Sequence, residues 1–324
     1  MRAIVQHGYG APGNVLRLAD VGLPEVGVED VLVRVRASSA NPWDWHFIRG
    51  EPLLLRPAGI GGIRRPKFLI PGGDLAGTVE RVGSGVTGFQ PGADVYGFGH
   101  GAFAEYVAVP QTRLAPKPAG LSFEQAAAVP LAAVTALQGL RAGGIAPRQR
   151  VLIVGASGGV GTFAVQISKH LGAQVTGVCS TAHVDLVRGL GADQVIDYTR
   201  EDFTAGATGY DLVFQLGGTY SPAAINRVLA AHGTLIQSYG DGGRWLGPLG
   251  NMIKAAVLNR FTGRTLKAFT ATVTAEALNE IKDLIESGHI IPVIGQTFPL
   301  TEATAAVKLV EKGSPPGKVV VVVD

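Results

Sequence analysis

The segment with the clearest potential for chemistry is rich in glycine and lies near the middle of the chain. It follows a short apolar strand, Val151–Val154, and precedes an amphipathic helix. Glycines permit a tight turn, and the first N–H groups of a helix favour an anion such as a pyrophosphate. We therefore predict dinucleotide binding over an ordinary βα turn. The motif reads Gly155-Ala156-Ser157-Gly158-Gly159-Val160-Gly161, and the predicted buried face of the helix is Val160, Phe163, Ala164, Ile167 and Leu171.

The strand after this helix, Gln174–Cys179, decides which dinucleotide fits. An NAD-specific site normally ends this strand in Asp or Glu, which binds the ribose hydroxyls and repels a 2′-phosphate. Here no acid occurs before Asp185, so the sequence favours NADP(H). A plain helix N-cap at Ser180 and a solvated helix residue at Arg188 are the alternatives. The candidate groups are the hydroxyls of Ser180 and Thr181 and the cations of His183 and Arg188.

An aromatic-rich segment follows Asn41 near the N-terminus. Its rings suit a flat substrate, although packing in the core is the alternative for at least one Trp. His46 could protonate a reduced product or merely bind a ribose. Tyr239 and Phe261 are predicted to complete the pocket. The aromatic segment comprises Trp43, Trp45, His46 and Phe47.

Composition and cysteine content exclude several classes of protein. Charged residues make up 16% and the formal net charge is only +3, so a nucleic-acid-binding face is not expected. A single cysteine, Cys179, cannot form a disulfide within the chain, and the seven histidines are scattered without ligand spacing, so we predict no metal site. The most apolar stretch, 126–137, is broken by Pro130 and is too short to span a bilayer, so we interpret it as a buried helix. No leader is apparent, and we predict a soluble cytoplasmic protein.

The elements that must position these residues change in character along the chain. The first third reads as strands and turns, among them Val31–Ala37, Ala76–Val82 and Ala104–Val109. From about Ser122 helices and strands alternate, which is typical of a parallel sheet covered on both faces. Further predicted strands are 194–196, 211–216, 233–238 and 318–323, and further helices run to about 190 and over 275–287 and 301–312. We predict a β-rich domain over 1–121 and 265–324, and an α/β nucleotide domain over 122–264.

Several motifs, in order and spacing, make the chain resemble the zinc-independent quinone oxidoreductases of the medium-chain dehydrogenase/reductase superfamily. Within this branch it is most similar to reticulon-interacting-type reductases, because of the extended loop over 51–70. Where zinc enzymes of the superfamily carry Gly-His-Glu, this chain has Gly72-Gly73-Asp74. The motifs are Asn41-Pro42-Trp43-Asp44, Pro71 to Gly77, Gly101 to Tyr106, the glycine motif, Ala192 to Tyr198, and Gly317-Lys318-Val319-Val320.

The resemblance implies a GroES-like barrel domain with a Rossmann domain, and the cofactor in the cleft between them. It places Asn41 and Thr135 near the nicotinamide, with Asn41 and His46 as the catalytic candidates. Trp43, Trp45, Phe47, Tyr239 and Phe261 are the candidate substrate-binding residues from the aromatic segment and its predicted pocket. The remaining implied NADPH-binding residues are Ser157, Gly158, Gly159, Val160, Gly161, Ser180, His183, Tyr198, Leu216, Gly217, Ser238, Gly317 and Lys318.

The implied reaction is hydride transfer from NADPH to a quinone or an α,β-unsaturated carbonyl, without zinc. Such acceptors take hydride more easily than an alcohol gives it up, so positioning supplies much of the catalysis. Reduction of an enoyl thioester and a non-catalytic role as an NADPH-binding sensor or structural protein are the alternatives. Consumption of NADPH with a quinone separates an enzyme from a pure binder. We also expect a homodimer.

Overall fold

The computed structural model describes residues 1–53, 56, 62, 64–206, 208–218, 220–238, 263–313 and 315–323. They form two compact units. The first comprises 1–134, 273–288 and 292–324, and the second comprises 135–272 and 289–291. The domain limits expected from the sequence, 121/122 and 264/265, remain a prediction. Among the described residues, no helix has the length and apolar character that a membrane span requires.

Strands and helices are numbered here in chain order. The strands are β1 Arg2–Gln6, β2 Leu16–Asp20, β3 Asp30–Ala40, β4 Asp74–Val82, β5 Asp94–Phe98, β6 Tyr106–Pro110, β7 Leu114–Pro116, β8 Arg150–Val154, β9 Gln174–Cys179, β10 Gln194–Asp197, β11 Tyr210–Gln215, β12 Leu229–Gln237, β13 Thr265–Ala268, β14 Ile294–Pro299 and β15 Lys318–Val322. The helices are α1 Pro12–Val15, α2 Pro42–Arg49, α3 Phe123–Ala127, α4 Pro130–Ala142, α5 Gly159–His170, α6 Val184–Gly189, α7 Pro222–Val228, α8 Ala275–Glu286 and α9 Ala303–Glu311.

The first unit is built on a seven-stranded sheet with the order β14-β15-β3-β4-β5-β7, in which β6 also pairs with β3. Its central strand is β3, whose alternating residues Val31, Val33 and Val35 are buried in the core, as a period of two requires. The C-terminal strand β15 pairs antiparallel with β3. The C-terminal strand therefore joins the sheet that β3 to β7 form, whereas β1 and β2 form a separate two-stranded sheet.

The second unit contains a six-stranded parallel sheet with the order β10-β9-β8-β11-β12-β13. The predicted parallel, doubly wound sheet is confirmed. The strand order reverses between β8 and β11, and such a reversal is where α/β sheets bind ligands at the carboxyl ends of their strands. The glycine motif joins β8 to α5 at this point.

Two details of the predicted helices differ from the structure. Val160 and Leu171 are only half-buried, whereas Phe163, Ala164 and Ile167 are fully buried as predicted. The difference arises because Val160 lies in the first turn of α5 and Leu171 is its C-cap, so both lie at the ends of the buried face. The apolar stretch over 126–137 is two helices, because Pro130 begins α4 after α3 has ended.

A buried hydroxyl connects α8 to the sheet of the first unit. Tyr96 of β5 is fully buried and donates a hydrogen bond of 2.6 Å to the carbonyl of Leu278. We expect Tyr96→Phe to lower the free energy of unfolding by about 1 kcal/mol, the usual net value of one such bond. The measurement is urea unfolding, with Tyr106→Phe at a partly exposed tyrosine as the control. Equal losses in both variants would contradict the role of this bond.

Candidate active site

Three strand ends of the first unit meet at one edge of its sheet. Ser39 of β3 lies opposite Asp74, the first residue of β4. The last residue of β3 lies opposite Val319 of β15. Asn41 and Lys318 adjoin this pair, so the register brings together polar side chains that are far apart in the sequence. The sequence predictions include Asn41 and Lys318 but miss Asp74.

Lys318 and Asp74 form a buried ion pair at this edge. The ammonium Nζ lies 3.0 Å from Asp74 Oδ2, and the two side chains are 4% and 0% exposed. The same ammonium donates a short hydrogen bond to Asn41 Oδ1. Asp74 also accepts bonds from Asn41 Nδ2 at 2.9 Å, Ser39 Oγ at 2.8 Å and the Leu131 N–H at 2.9 Å. Each oxygen of the carboxylate is therefore used, and both ends of the Asn41 amide are fixed.

A second buried carboxyl, Asp44, lies one turn into α2. Its Oδ2 accepts the N–H of Asn41 at 2.7 Å, which caps the start of the helix. Burial, with Asp74 adding repulsion, raises the pKa of Asp44 to about 7, and Lys318 opposes the shift. Asp44 is therefore largely protonated in mildly acidic solution. In the sequence, Asp44 was noted only as the last residue of the motif Asn41-Pro42-Trp43-Asp44.

The position at which zinc-dependent relatives carry an imidazole ligand is occupied by Gly73. A Cβ atom there would lie 2.3 Å from the ring of Phe98, so the packing leaves no space for a side chain. The described residues include no group of three or more His, Cys, Asp or Glu arranged to hold a metal ion. The carboxylate of the next residue, Asp74, forms an ion pair with the ammonium of Lys318.

Trp43 and Phe47, four residues apart on α2, lie in one aromatic cluster. Their ring centroids are 4.0 Å apart, and Trp43 also contacts Phe98 edge-on at 5.5 Å. His100 lies 5.3 Å from Trp43 and stacks on Phe68 at 3.8 Å with an interplanar angle of 8°. The sequence predictions missed His100, which has no neighbouring catalytic motif.

The other two aromatic candidates of α2 lie apart from this cluster. Trp45 packs against the hydrophobic core, which is the alternative that the sequence left open for one Trp. His46 stacks on Trp45 with the ring centroids 3.6 Å apart. The helical period separates these residues from Trp43 and Phe47, so the aromatic residues of α2 lie in two separate groups. Tyr239 and Phe261 lie outside the described residues.

In the second unit, the glycine turn has the geometry that a dinucleotide phosphate needs. Gly155 has φ +88°, and a Cβ at Gly161 would lie 2.1 Å from the carbonyl oxygen of Gly155. Gly158 is the N-cap of α5, an added Cβ there would meet only the Gly155 carbonyl oxygen at 3.4 Å, and residues 157–160 are half-buried. The N–H groups that begin α5 are therefore accessible to an anion, and the turn fits a pyrophosphate.

An acid that the sequence did not assign to this site lies beside the end of β9. Asp197, at the end of the adjacent strand β10, accepts the hydroxyls of Thr181 at 2.5 Å and Thr199 at 2.7 Å. Arg200 lies 3.4 Å away. These hydrogen bonds, with that of Thr181 the strongest, lower the pKa of Asp197. The hydroxyl of Thr181 is thus already engaged, and the carboxylate lies among other polar groups.

The remaining cations and hydroxyls at this strand end are more exposed. Ser180 precedes a short 3₁₀ turn and its side chain makes no capping bond. His183 is half-buried. Arg188 lies 3.5 Å from Asp185, and both side chains are largely exposed. Arg188 therefore lies at a solvent-exposed helix position, which is the alternative that the sequence left open for it.

The other predicted cofactor residues are distributed as follows. Leu216 and Gly217 follow β11, and Gly217 lies beside Gly155. Ser238 follows β12, Tyr198 is exposed after β10, and Thr135 lies buried on α4. Gly317 has φ +69°, and a Cβ there would lie 2.3 Å from the carbonyl oxygen of Val293, so backbone geometry alone requires glycine. Their roles in cofactor binding remain predictions.

We expect Lys318→Met to destabilise the protein by roughly 3–5 kcal/mol, because it leaves the buried carboxylate of Asp74 without a cation. The double variant Lys318→Met/Asp74→Asn should recover much of this loss, since it removes the unpaired charge. The measurement is urea unfolding. Lys282→Met, which breaks an exposed i,i+4 pair with Glu286, is the control and should cost below about 1 kcal/mol. A single variant as stable as the control would overturn the importance of the pair.

The raised pKa of Asp44 predicts a pH-dependent stability. Between about pH 4 and 7 the folded state keeps the proton of Asp44 while the unfolded state releases it. The stability of the parent, relative to Asp44→Asn, should therefore fall as the pH rises through this range. The slope is at most about 1.4 kcal/mol per pH unit. Thermal unfolding of both proteins from pH 4.5 to 8 measures it, and a difference that does not change with pH would refute protonation of Asp44.

Comparison with known proteins assigns both units to one family. Residues 27–119 match the alcohol dehydrogenase GroES-like domain, and residues 190–321 match a domain described as zinc-binding dehydrogenase. The mitochondrial NAD(P)H oxidoreductase RTN4IP1 of Bos taurus is 34% identical over 99% of this chain and 89% of its own. The 2-methylene-furan-3-one reductase of Solanum lycopersicum is 32% identical over 99% of this chain and 79% of its own. The Escherichia coli quinone oxidoreductase, solved in complex with NADPH, is 28% identical and superposes with a TM-score of 0.84 over 99% of this chain and 100% of its own. The chain belongs to the zinc-independent quinone oxidoreductase branch of the medium-chain dehydrogenase/reductase superfamily.

Proposed function

We propose that the protein is an NADPH-dependent reductase that transfers hydride to a quinone or an α,β-unsaturated carbonyl compound. The observation that carries this proposal is the glycine turn between β8 and α5, which fits a pyrophosphate at the point where the sheet reverses its strand order. When bound, NADPH supplies a hydride, and one proton completes the reduction to the hydroquinone or the saturated carbonyl compound.

The residues of the first unit hold and orient the reactants. Asn41 is buried and is fixed at both ends of its amide by Lys318 and Asp74, so it holds the first turn of α2 in place. Trp43 and Phe47 offer flat apolar walls. His46 is the auxiliary proton donor that the sequence suggested, and its ring is held by stacking on Trp45. Quinones need less from such a donor than enones, because the product of hydride transfer to a quinone can take its proton from solvent.

The substrate class follows from the chemistry of the site and from the relatives. One relative is named for reduction of a methylene-furanone, which is an enone, and another is a quinone oxidoreductase. Planar, conjugated acceptors suit aromatic walls better than a long acyl chain does. A cytoplasmic location and a homodimer are part of the proposal, and the bovine relative is mitochondrial.

The decisive experiment follows NADPH oxidation at 340 nm with a quinone, an enone and an enoyl thioester, each against a blank without acceptor. We expect turnover of the quinone and the enone. Gly161→Val, whose side chain would meet the backbone of the glycine turn, should lose NADPH binding and turnover together. Binding of NADPH without consumption in the presence of any acceptor would show a pure binder and defeat the proposal.

We further expect kcat/KM with NADPH to exceed kcat/KM with NADH by about 10- to 150-fold. This factor corresponds to roughly 1.5–3 kcal/mol from charge-assisted bonds to the 2′-phosphate. Ser180→Asp places a carboxylate at the end of β9 and should erase or invert this preference. Ser122→Asp makes the same exchange at the N-cap of α3 in the first unit and is the matched control. Equal efficiency of the two cofactors in the parent would contradict the reading of this strand end.

A further inference from the structure

The aromatic cluster of the first unit contains one polar ring, that of His100. It follows β5 between two glycines, of which Gly101 has φ +98°. The ring stacks on Phe68 and lies close to Trp43, with Phe98 and Phe47 at 6.3 and 6.4 Å. An imidazole in such a position is held by its faces, so its edge, where both nitrogens lie, is left for other contacts.

The nitrogens of His100 are not engaged by the residues that the structure describes. No hydrogen bond or ion pair joins either of them to this part of the chain, although the ring is half-buried. Burial lowers the pKa of His100 to about 4, and the charges of Arg113 and Lys67 act in the same direction. At neutral pH the ring is therefore uncharged, with one N–H donor and one acceptor.

A narrow cavity adjoins this ring. Trp43, Phe47 and Phe68 form its apolar walls, and Asp44 lies in its lining. The side chain of Asp44 is fully buried, and its Oδ1 makes no hydrogen bond of normal geometry with the described residues. The space admits little more than a water molecule. A cavity of this size, with the N–H edge of His100 in its lining, admits a single oxygen atom and excludes a whole ring.

We propose that this cavity receives the carbonyl oxygen of the acceptor and that the N–H of His100 donates a hydrogen bond to it, while the planar ring or chain of the acceptor lies at the mouth against Trp43 and Phe47. The inference rests on the reductase function proposed above. It assigns His100 to substrate binding and acceptor specificity. The hydrogen bond withdraws charge from the carbonyl oxygen and makes the conjugated system a better hydride acceptor, without proton transfer from His100.

The test compares two substitutions that distinguish the contribution of the aromatic ring from that of its N–H donor. His100→Phe keeps an aromatic ring in the cluster and removes the N–H, whereas His100→Gln keeps an N–H donor on a shorter group. Loss of one neutral hydrogen bond of about 0.5–1.5 kcal/mol corresponds to a 2- to 10-fold change. We expect His100→Phe to lower kcat/KM for quinone and enone by that factor, and His100→Gln to restore most of it. His7→Phe, at an exposed histidine, is the matched control.

Two further measurements separate an effect on acceptor binding from effects on NADPH binding or on folding. The dissociation constant of 1,4-naphthoquinone, measured by equilibrium dialysis without NADPH, should rise 2- to 10-fold in His100→Phe. The NADPH affinity and the melting temperature should stay at the parent values. If the parent turns over no acceptor, the proposed function fails, and the dialysis still tests the contact with His100. A parent-like kcat/KM and dissociation constant in His100→Phe, or an equal loss in His100→Gln, would overturn the inference.

Discussion

The arrangement of the first unit depends on the buried contact between the ammonium of Lys318 and the carboxylate of Asp74. Burial of two such charges costs several kcal/mol each, and their attraction offsets this only when the remaining hydrogen-bonding positions are also filled. Here they are filled, by Asn41, Ser39 and the Leu131 N–H. The contact therefore requires the ends of β3, β4 and β15 and the start of α4 to be in register at the same time.

This constraint extends to α2. Asn41 is held through its amide, and its N–H is bound by Asp44, so the first turn of the helix has a fixed direction. Four-residue spacing then places Trp43 and Phe47 side by side. The intervening Trp45 is directed to the core instead. A polar network and a helical period together decide which aromatic rings line the cavity beside His100.

Sequence patterns predicted the features that depend on neighbours along the chain. The glycine turn, the alternation of β3 and the order of strands and helices in the second unit all follow from local periodicity. Contacts between distant residues had no such signal. Asp74 and Lys318 are 244 positions apart, and the sequence drew attention to Asp74 only as the residue after Gly73, where zinc enzymes carry histidine. Asp197 escaped prediction because the rule for cofactor choice considers β9 alone, whereas the acid arrives from β10 through the sheet register.

Near the end of β9, two arginines lie beside carboxylates, and the strength of these ion pairs decides whether a phosphate competes with them. Arg188 and Arg200 both lie near carboxylates, but at 3.5 and 3.4 Å and with side chains 63% and 75% exposed. Exposed pairs of this kind contribute only about 0–1 kcal/mol. A charge-assisted bond to a phosphate contributes roughly 1.5–3 kcal/mol. Asp197 is also bound by two threonine hydroxyls, so its carboxylate keeps hydrogen-bond partners when Arg200 moves away. A guanidinium can therefore exchange its carboxylate for a phosphate at small cost.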